Sequence, residues 1–132
     1  MARKPLTTNQ LIKKLQPIFN KYIRLRDEGK PCISCGEYAE EMDSGHFYAK
    51  SGYSGLRFDE DNAHAECVRC NRFDESHLIG YAENLKAKIG EYDYKLLQER
   101  AAEYKRNGKK WSRMELRELI EYYKELVKNL QE

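Results

Sequence analysis

The chain has 132 residues, 35% of them charged and 40% hydrophobic, with a formal net charge of +2 and a mean hydropathy of −0.91. That length suits a single domain, residues 1–132, around one core, and no apolar run approaches the roughly 20 residues that a membrane-spanning helix needs. The basic start, Met1 to Lys4, leads into an amphipathic pattern broken by lysines rather than an apolar signal segment, so a cytoplasmic place with no membrane partner is expected.

The small net charge hides a segregation. Residues 1–30 carry +6, residues 31–80 carry −6 and residues 81–132 carry +2. An acidic centre repels nucleic acid unless a cation sits in it, whereas basic flanks neutralise phosphates on either side; each flank taken alone also reads as a solvated helix face.

In chain order, Thr7 and Gln10 are spaced as a capping box, and Leu11, Leu15, Ile18, Tyr22 and Leu25 recur at helical spacing, which predicts a helix to about Asp27 with its stop at Gly29. Pro17 within it implies a kink or two shorter pieces. The polar face holds Lys13, Lys14, Lys21, Arg24 and Arg26, candidates for phosphate contact or for ordinary solubility. Pro31 opens the first Cys-x-x-Cys pair, Cys32 and Cys35, followed by Gly36. From Tyr38 to about Phe58 the helical period disappears and Gly45, Gly52 and Gly55 enter, predicting two short strands joined by a glycine-rich loop. The second pair, Cys67 and Cys70, leads into Asn71, where a helix should open. Beyond it, Leu78, Ala82, Leu85 and Ile89 form one apolar stripe ended by Gly90, and Leu96, Leu97, Ala101 and Tyr104 form another ended by Gly108. Lys105, Arg106, Lys109 and Lys110 make a basic loop, a second candidate phosphate contact. In the last helix Ser112 and Glu115 are spaced as a capping box, Trp111 can staple to Leu116, and the stripe Leu116, Leu119, Ile120, Tyr123, Val127 and Leu130 either closes the core or pairs with a second subunit. The expected fold is α+β, mainly helical: a basic N-terminal helical region (1–30), a cysteine-stapled centre (31–90) and C-terminal helices (91–132).

Four cysteines in two close pairs, with no export signal, favour a structural zinc ion over disulfides, with a redox dithiol or plain core thiols as the other readings. Zinc closed by four thiolates cannot activate water, so its task is to staple the fold. The 31 residues between the pairs exceed the spacing of a simple four-cysteine finger and hold Asp43, His46 and Asn62. An imidazole near neutral pKa, a hard carboxylate and the amide oxygen of Asn71 suit a proton transfer beside magnesium rather than a second zinc.

These residues carry a resemblance. Cys-x-x-Cys, then Gly45-His46, Asn62 and Cys-x-x-Cys-Asn is similar to the zinc-stapled HNH, or ββα-metal, nucleases; Asp43-Ser44-Gly45-His46, Leu56-Arg57-Phe58, Glu60-Asp61-Asn62-Ala63-His64 and Cys67-Val68-Arg69-Cys70-Asn71 resemble the NinG/Rap recombination endonucleases of temperate phages. The resemblance implies a treble-clef-like HNH core and a phage- or prophage-encoded hydrolase acting in the bacterial host. It puts His46 at the general base, Asn62 at the middle Asn that holds the loop and helps orient the histidine, and Asn71 at the helical metal-ligand position; phage endonuclease VII similarly has an Asn directly after its last cysteine. Many relatives have the metal carboxylate immediately before the histidine, where this chain has Gly45; Asp43, two residues earlier, is then the carboxylate for magnesium or manganese, with Asp74 and Glu75 as further candidates on the face of Asn71. His64 and His77 are read as structural or DNA-contacting. The implied substrates are branched DNA, Holliday junctions and D-loops, and two-strand cutting suggests a homodimer. Two alternatives stand beside this: a non-catalytic, zinc-dependent DNA-binding module, and a protein-interaction adaptor built on the last helix.

Overall fold

The computed structural model describes residues 4–132; the basic first three residues lie outside them. Helix α1, Thr8–Arg26, begins as its sequence dictates: the Thr7 side chain accepts from Gln10 N at 3.2 Å, and Gln10 Oε1 accepts from Thr7 N at 2.9 Å. Pro17 lies inside this one continuous helix, so two shorter pieces do not form. The proline ring removes a hydrogen bond from the Lys13 carbonyl, but both residues lie on the exposed face, where water serves that carbonyl.

The chain then forms strand β1, Met42–His46, a 3₁₀ turn at Ser54–Leu56, a second at Glu60–Asn62, and strand β2, Ala63–Cys67. The strands pair antiparallel, Met42 with Cys67 through His46 with Ala63. Two strands between Tyr38 and Phe58 were expected, but the second lies later, at Ala63–Cys67, because the glycine-rich stretch is consumed by a long connection whose 3₁₀ turns pack on α-helices. Helix α2, Val68–Phe73, follows directly, then α3, His77–Ile89, α4, Glu91–Asn107, and α5, Arg113–Gln131. Gly90 has φ +91°, a conformation that lets α3 stop and α4 start on the same residue.

Two apolar clusters flank the hairpin. In the first, Leu11, Leu15, Phe19 and Ile23 of α1 meet Leu116, Ile120 and Tyr123 of α5, with Phe58 and Ala63; the last helix therefore closes the core against the first. Ser112 Oγ accepts from Glu115 N at 3.1 Å, while Glu115 turns to Lys109 at 2.9 Å, so only half of that capping box forms. In the second cluster Tyr81 and Leu85 of α3 and Tyr94, Leu97 and Ala101 of α4 pack on Ile33 and Leu56. Tyr81, fully buried, donates its hydroxyl to Gly45 O at 2.6 Å and so ties α3 to β1.

The elements are locked by a buried ionic cluster at the end of α1. Asp27, whose side chain is wholly buried, accepts from Arg26 at 2.9 Å, from Lys88 of α3 at 2.9 Å and from Ala65 N of β2 at 2.9 Å. Burial works to raise its pKa, but those donors outweigh it and hold the carboxyl well below its ordinary range. His64 is fixed as the neutral tautomer: Nε2 donates to Asp61 O at 2.8 Å and Nδ1 accepts from Arg26 Nη2 at 3.1 Å. Burial, then the charges of Lys88 and Arg26, push its pKa down to about 3.

Two outcomes follow from this cluster. Asp27→Ala leaves Arg26 and Lys88 without their buried counter-charge and is expected to cost about 3–5 kcal/mol in urea unfolding. His64 binds its proton near pH 6.5 in the unfolded chain and near 3 in the folded one, so its contribution is intact above 6.5 and is lost as pH falls from about 6.5 towards 3; His64→Gln should flatten the pH dependence of stability in that window.

Candidate functional site

The four cysteine Sγ atoms lie within 4.8 Å of one another, the one cluster of three or more His, Cys, Asp or Glu ligands among the described residues. Cys35 Sγ and Cys67 Sγ are 3.9 Å apart, against roughly 3.8 Å for two sulfurs of a tetrahedron with metal–sulfur bonds near 2.3 Å. The donor set therefore fits a zinc ion. Local backbone supports it: Cys32 Sγ accepts from Ser34 N at 3.4 Å, Cys35 N at 3.5 Å and Cys67 N at 3.2 Å, a pattern that stabilises a thiolate. Cys67 ends β2 and caps α2, and Cys70 lies in the first turn of that helix, so one ion would join the Cys32 knuckle, the hairpin and α2.

The two faces of the hairpin carry different chemistry. Asp43 and Gly45 share one face with Glu66 and His64. Asp43 accepts from Asn71 Nδ2 at 2.8 Å and from Arg72 Nε and Nη2 at 3.0 and 2.9 Å. Burial tends to raise its pKa, but Arg72 and Asn71 prevail and lower it. Asp43 and Arg72 border a polar cavity of about 560 Å³ lined also by Arg24, Lys30 and Glu41. Asp43 and Asn71 are thus brought together, with Arg72 occupying both carboxylate oxygens.

His46 is not with them. It lies three residues along β1, roughly 10 Å at strand rise, and its side chain leaves the opposite face. There it packs near Phe19, ring centroids 6.3 Å apart, and its Nε2 is 2.9 Å from Arg57 O. Burial lowers its pKa, against the Arg57 carbonyl, which favours the charged form. Asn62, wholly buried, pins the intervening loop: Nδ2 donates to Tyr48 O and Leu56 O, each at 3.1 Å, and Oδ1 accepts from Tyr48 N at 2.8 Å. It makes no hydrogen bond to His46 itself but holds both of its neighbourhoods: Leu56 adjoins Arg57, and Asn62 O accepts from Phe47 N at 2.9 Å.

Other placements differ from expectation. Helix α2 ends at Phe73, so Asp74 and Glu75 do not return to the face of Asn71; Asp74 folds onto Ser76, with Oδ1 2.9 Å from Ser76 N and 2.8 Å from Ser76 Oγ. Arg26 does not face solvent for phosphate contact: its guanidinium serves Asp27, Glu60 O at 2.9 Å and Ala63 O at 2.8 Å. Lys13, Lys14, Lys21 and Arg24 are exposed. In the later basic loop Lys105 and Lys110 are exposed, Arg106 pairs with Glu103 at 3.2 Å, and Lys109 is held by Glu115 and lies 4.9 Å from the Trp111 ring centre.

One residue escaped the sequence reading altogether. Glu66, wholly buried, shares Oε2 between Ser34 Oγ and His77 Nδ1, linking the knuckle to α3. Its side chain fills the space over Gly45, where an added Cβ would lie 2.8 Å from Glu66 Cβ. A glycine inside a strand is the signal that another group approaches there. Gly45 therefore stands where it does because a carboxylate of β2 occupies that side of β1. His64 and His77 are both satisfied by internal partners.

Fold and cysteine cluster together define a mainly helical α+β protein with a small two-stranded sheet and a four-sulfur site able to hold a structural metal. No helix among the described residues is long and apolar enough to cross a membrane. The family model described as Bacteriophage Lambda NinG protein matches residues 2–132, and the chain belongs to the NinG family. It is 34% identical to Protein ninG of Salmonella phage P22 over 122 residues, covering 92% of this chain and 58% of that protein. It is 32% identical to Protein ninG of Escherichia phage lambda over 120 residues, 90% of this chain and 56% of that one. Over 81 residues it is 40% identical to Protein ninG of Enterobacteria phage H19B, 61% of this chain and 40% of that one. The chain thus spans little more than half the length of the curated relatives it matches along most of its own. No solved structure matches.

If the four thiolates close one zinc ion, the protein should carry one equivalent of zinc by elemental analysis. Cys70→Ser should lose it and release the amides of residues 31–76 to fast hydrogen exchange while α1 and α5 stay protected.

Proposed function

We propose that this domain is a metal-dependent, structure-specific DNA endonuclease that hydrolyses phosphodiesters in branched recombination DNA such as Holliday junctions and D-loops. The observation that carries the reading is the setting of His46, at the end of a cysteine-clustered hairpin. One ring nitrogen is committed to a backbone carbonyl, the pKa is lowered so that the ring is neutral at pH 7, and the surrounding loop is pinned by Asn62. A neutral imidazole so held is equipped to take a proton.

In the reaction, His46 removes a proton from water, the water oxygen bonds to phosphorus, and the P–O3′ bond breaks, leaving a 5′ phosphate and a 3′ oxygen that takes up a proton. Asp43 and Asn71 are the residues to hold magnesium or manganese. Magnesium keeps several waters and needs few protein ligands, so one carboxylate and one amide suffice in number, but Arg72 must leave Asp43 for an ion to enter. An ion bound there, on the strand face opposite His46, would supply charge neutralisation to DNA phosphates reaching that face. The exposed cations Lys13, Lys14, Lys21 and Arg24 would grip flanking phosphates. Cutting two strands of a junction calls for two such sites, hence a homodimer on DNA.

The engagement of Asp43 by Arg72, on the strand face away from His46, favours a second reading, a zinc-stapled DNA-binding module without catalysis. Incubating a four-way junction and its matched linear duplex with magnesium or EDTA separates the two. The endonuclease reading expects junction-selective cutting that needs the metal and falls about 10²–10⁴-fold in a zinc-replete His46→Ala protein. Tight binding with no cutting under any divalent ion would leave the binding module. Arg72→Ala should tighten manganese binding at Asp43, measured by paramagnetic broadening of the Asn71 amide.

A further inference from the structure

The acidic segment 31–80 contains four cations, Lys50, Arg57, Arg69 and Arg72, among ten carboxylates. Arg72 is paired with Asp43, and Arg69 lies against the sulfurs of Cys70 and Cys35. Lys50 and Arg57 belong to no ion pair among the described residues, and both stand by His46: they are the charges that press on its imidazole, after burial. Two unpaired cations beside one histidine, in a segment with carboxylates to spare, form a site whose counter-ion comes from outside the chain.

Arg57 is also oriented. Its carbonyl meets His46 Nε2 at 2.9 Å, while its side chain crosses to α1, where Nε donates to Gln16 Oε1 at 2.6 Å. Gln16, only 8% exposed, is itself held, with Nε2 donating to Asn20 Oδ1 at 2.9 Å. Anchoring Nε leaves the two terminal nitrogens of a planar guanidinium without a hydrogen-bond partner among the described residues, the geometry that takes two oxygens of one phosphate. Lys13, Asn20 and Arg24 recur at spacings of seven and four residues on the neighbouring stripe of α1, continuing a polar track from Gln16 towards Asp43.

We propose that Arg57 and Lys50 form a phosphate clamp that seats the scissile phosphodiester of DNA beside His46, with Gln16 as the residue that positions Arg57. That the phosphodiester is the one cut rests on the proposed endonuclease function, but the clamp itself is testable without cutting. Affinity for a four-way junction is measured in EDTA across a range of salt, and cleavage in magnesium, for the wild type, Arg57→Gln, Arg57→Lys and Lys50→Gln, each checked for zinc content and melting temperature. Arg57→Gln and Lys50→Gln should each reduce the slope of log affinity against log salt by about one. Arg57→Gln should also slow cleavage about a hundredfold at unchanged melting temperature, and Arg57→Lys should restore the salt slope but not the rate. An unchanged salt slope and rate in Arg57→Gln would overturn the clamp while leaving the nuclease standing, as would losses that merely follow a lower melting temperature. A wild type that binds in an Arg57-dependent way yet never cuts would overturn the nuclease and keep the clamp. A wild type that neither binds nor cuts would overturn both.

Discussion

Four sulfurs held within 4.8 Å of one another are the constraint on which the rest of the molecule depends. As thiolates they repel one another, and only a cation among them makes the arrangement favourable. Apparent zinc affinities of roughly 10–16 kcal/mol in small domains equal or exceed the 5–15 kcal/mol by which whole domains are stable, so an ion here would decide whether residues 31–76 fold. Its effects reach outward through short links. Cys67 and Cys70 bring Asn71 over Asp43, and Ser34 between the first two cysteines reaches Glu66, which in turn holds His77 of α3.

Around that centre the two apolar clusters act as abutments. The α1–α5 pair presents Phe19 to His46, and Phe19, Phe58 and Tyr123 stack edge-on at 5.1–5.7 Å, giving the histidine a rigid apolar wall. The α3–α4 pair supports the other face through Tyr81 and the knuckle through Asn84, whose amide donates to Ile33 O at 2.8 Å. Asp27 joins both, since its carboxylate is shared by α1, β2 and α3. The hairpin is thereby fixed with His46 facing α1 and Asp43 facing α2, and these candidate residues are distributed over both faces of one strand rather than gathered in one pocket.

What was legible in the sequence follows from how local its cause was. The first helix, with its Thr7–Gln10 cap, and the four cysteines are encoded within a few residues, and structure and sequence agree there. The positions of Asp74, Glu75 and Arg26 were not legible, because α2 is cut short at Phe73 and Arg26 answers to carbonyls 34 and 37 residues away. The second strand was misplaced because glycines that suggest a hairpin loop serve a long connection, with Tyr104 of α4 packed on Gly55. Glu66 was hidden by ordinary strand alternation, although the odd glycine at 45 marked its place. Lys50 and Arg57 are unremarkable as letters; only the fold shows that the other two cations of their segment are engaged elsewhere.

A cysteine cluster closed around one zinc ion is a structural centre, which leaves any chemistry to other parts of the hairpin. X-ray absorption at the zinc edge of the purified protein reads out that closure. A closed four-thiolate staple gives four sulfur neighbours at about 2.3 Å and no nitrogen or oxygen ligand, unchanged by His46→Ala. Three sulfurs with a light-atom ligand would reveal an open coordination position, and protein purified without zinc would remove the staple; either result would rule out a closed structural zinc centre.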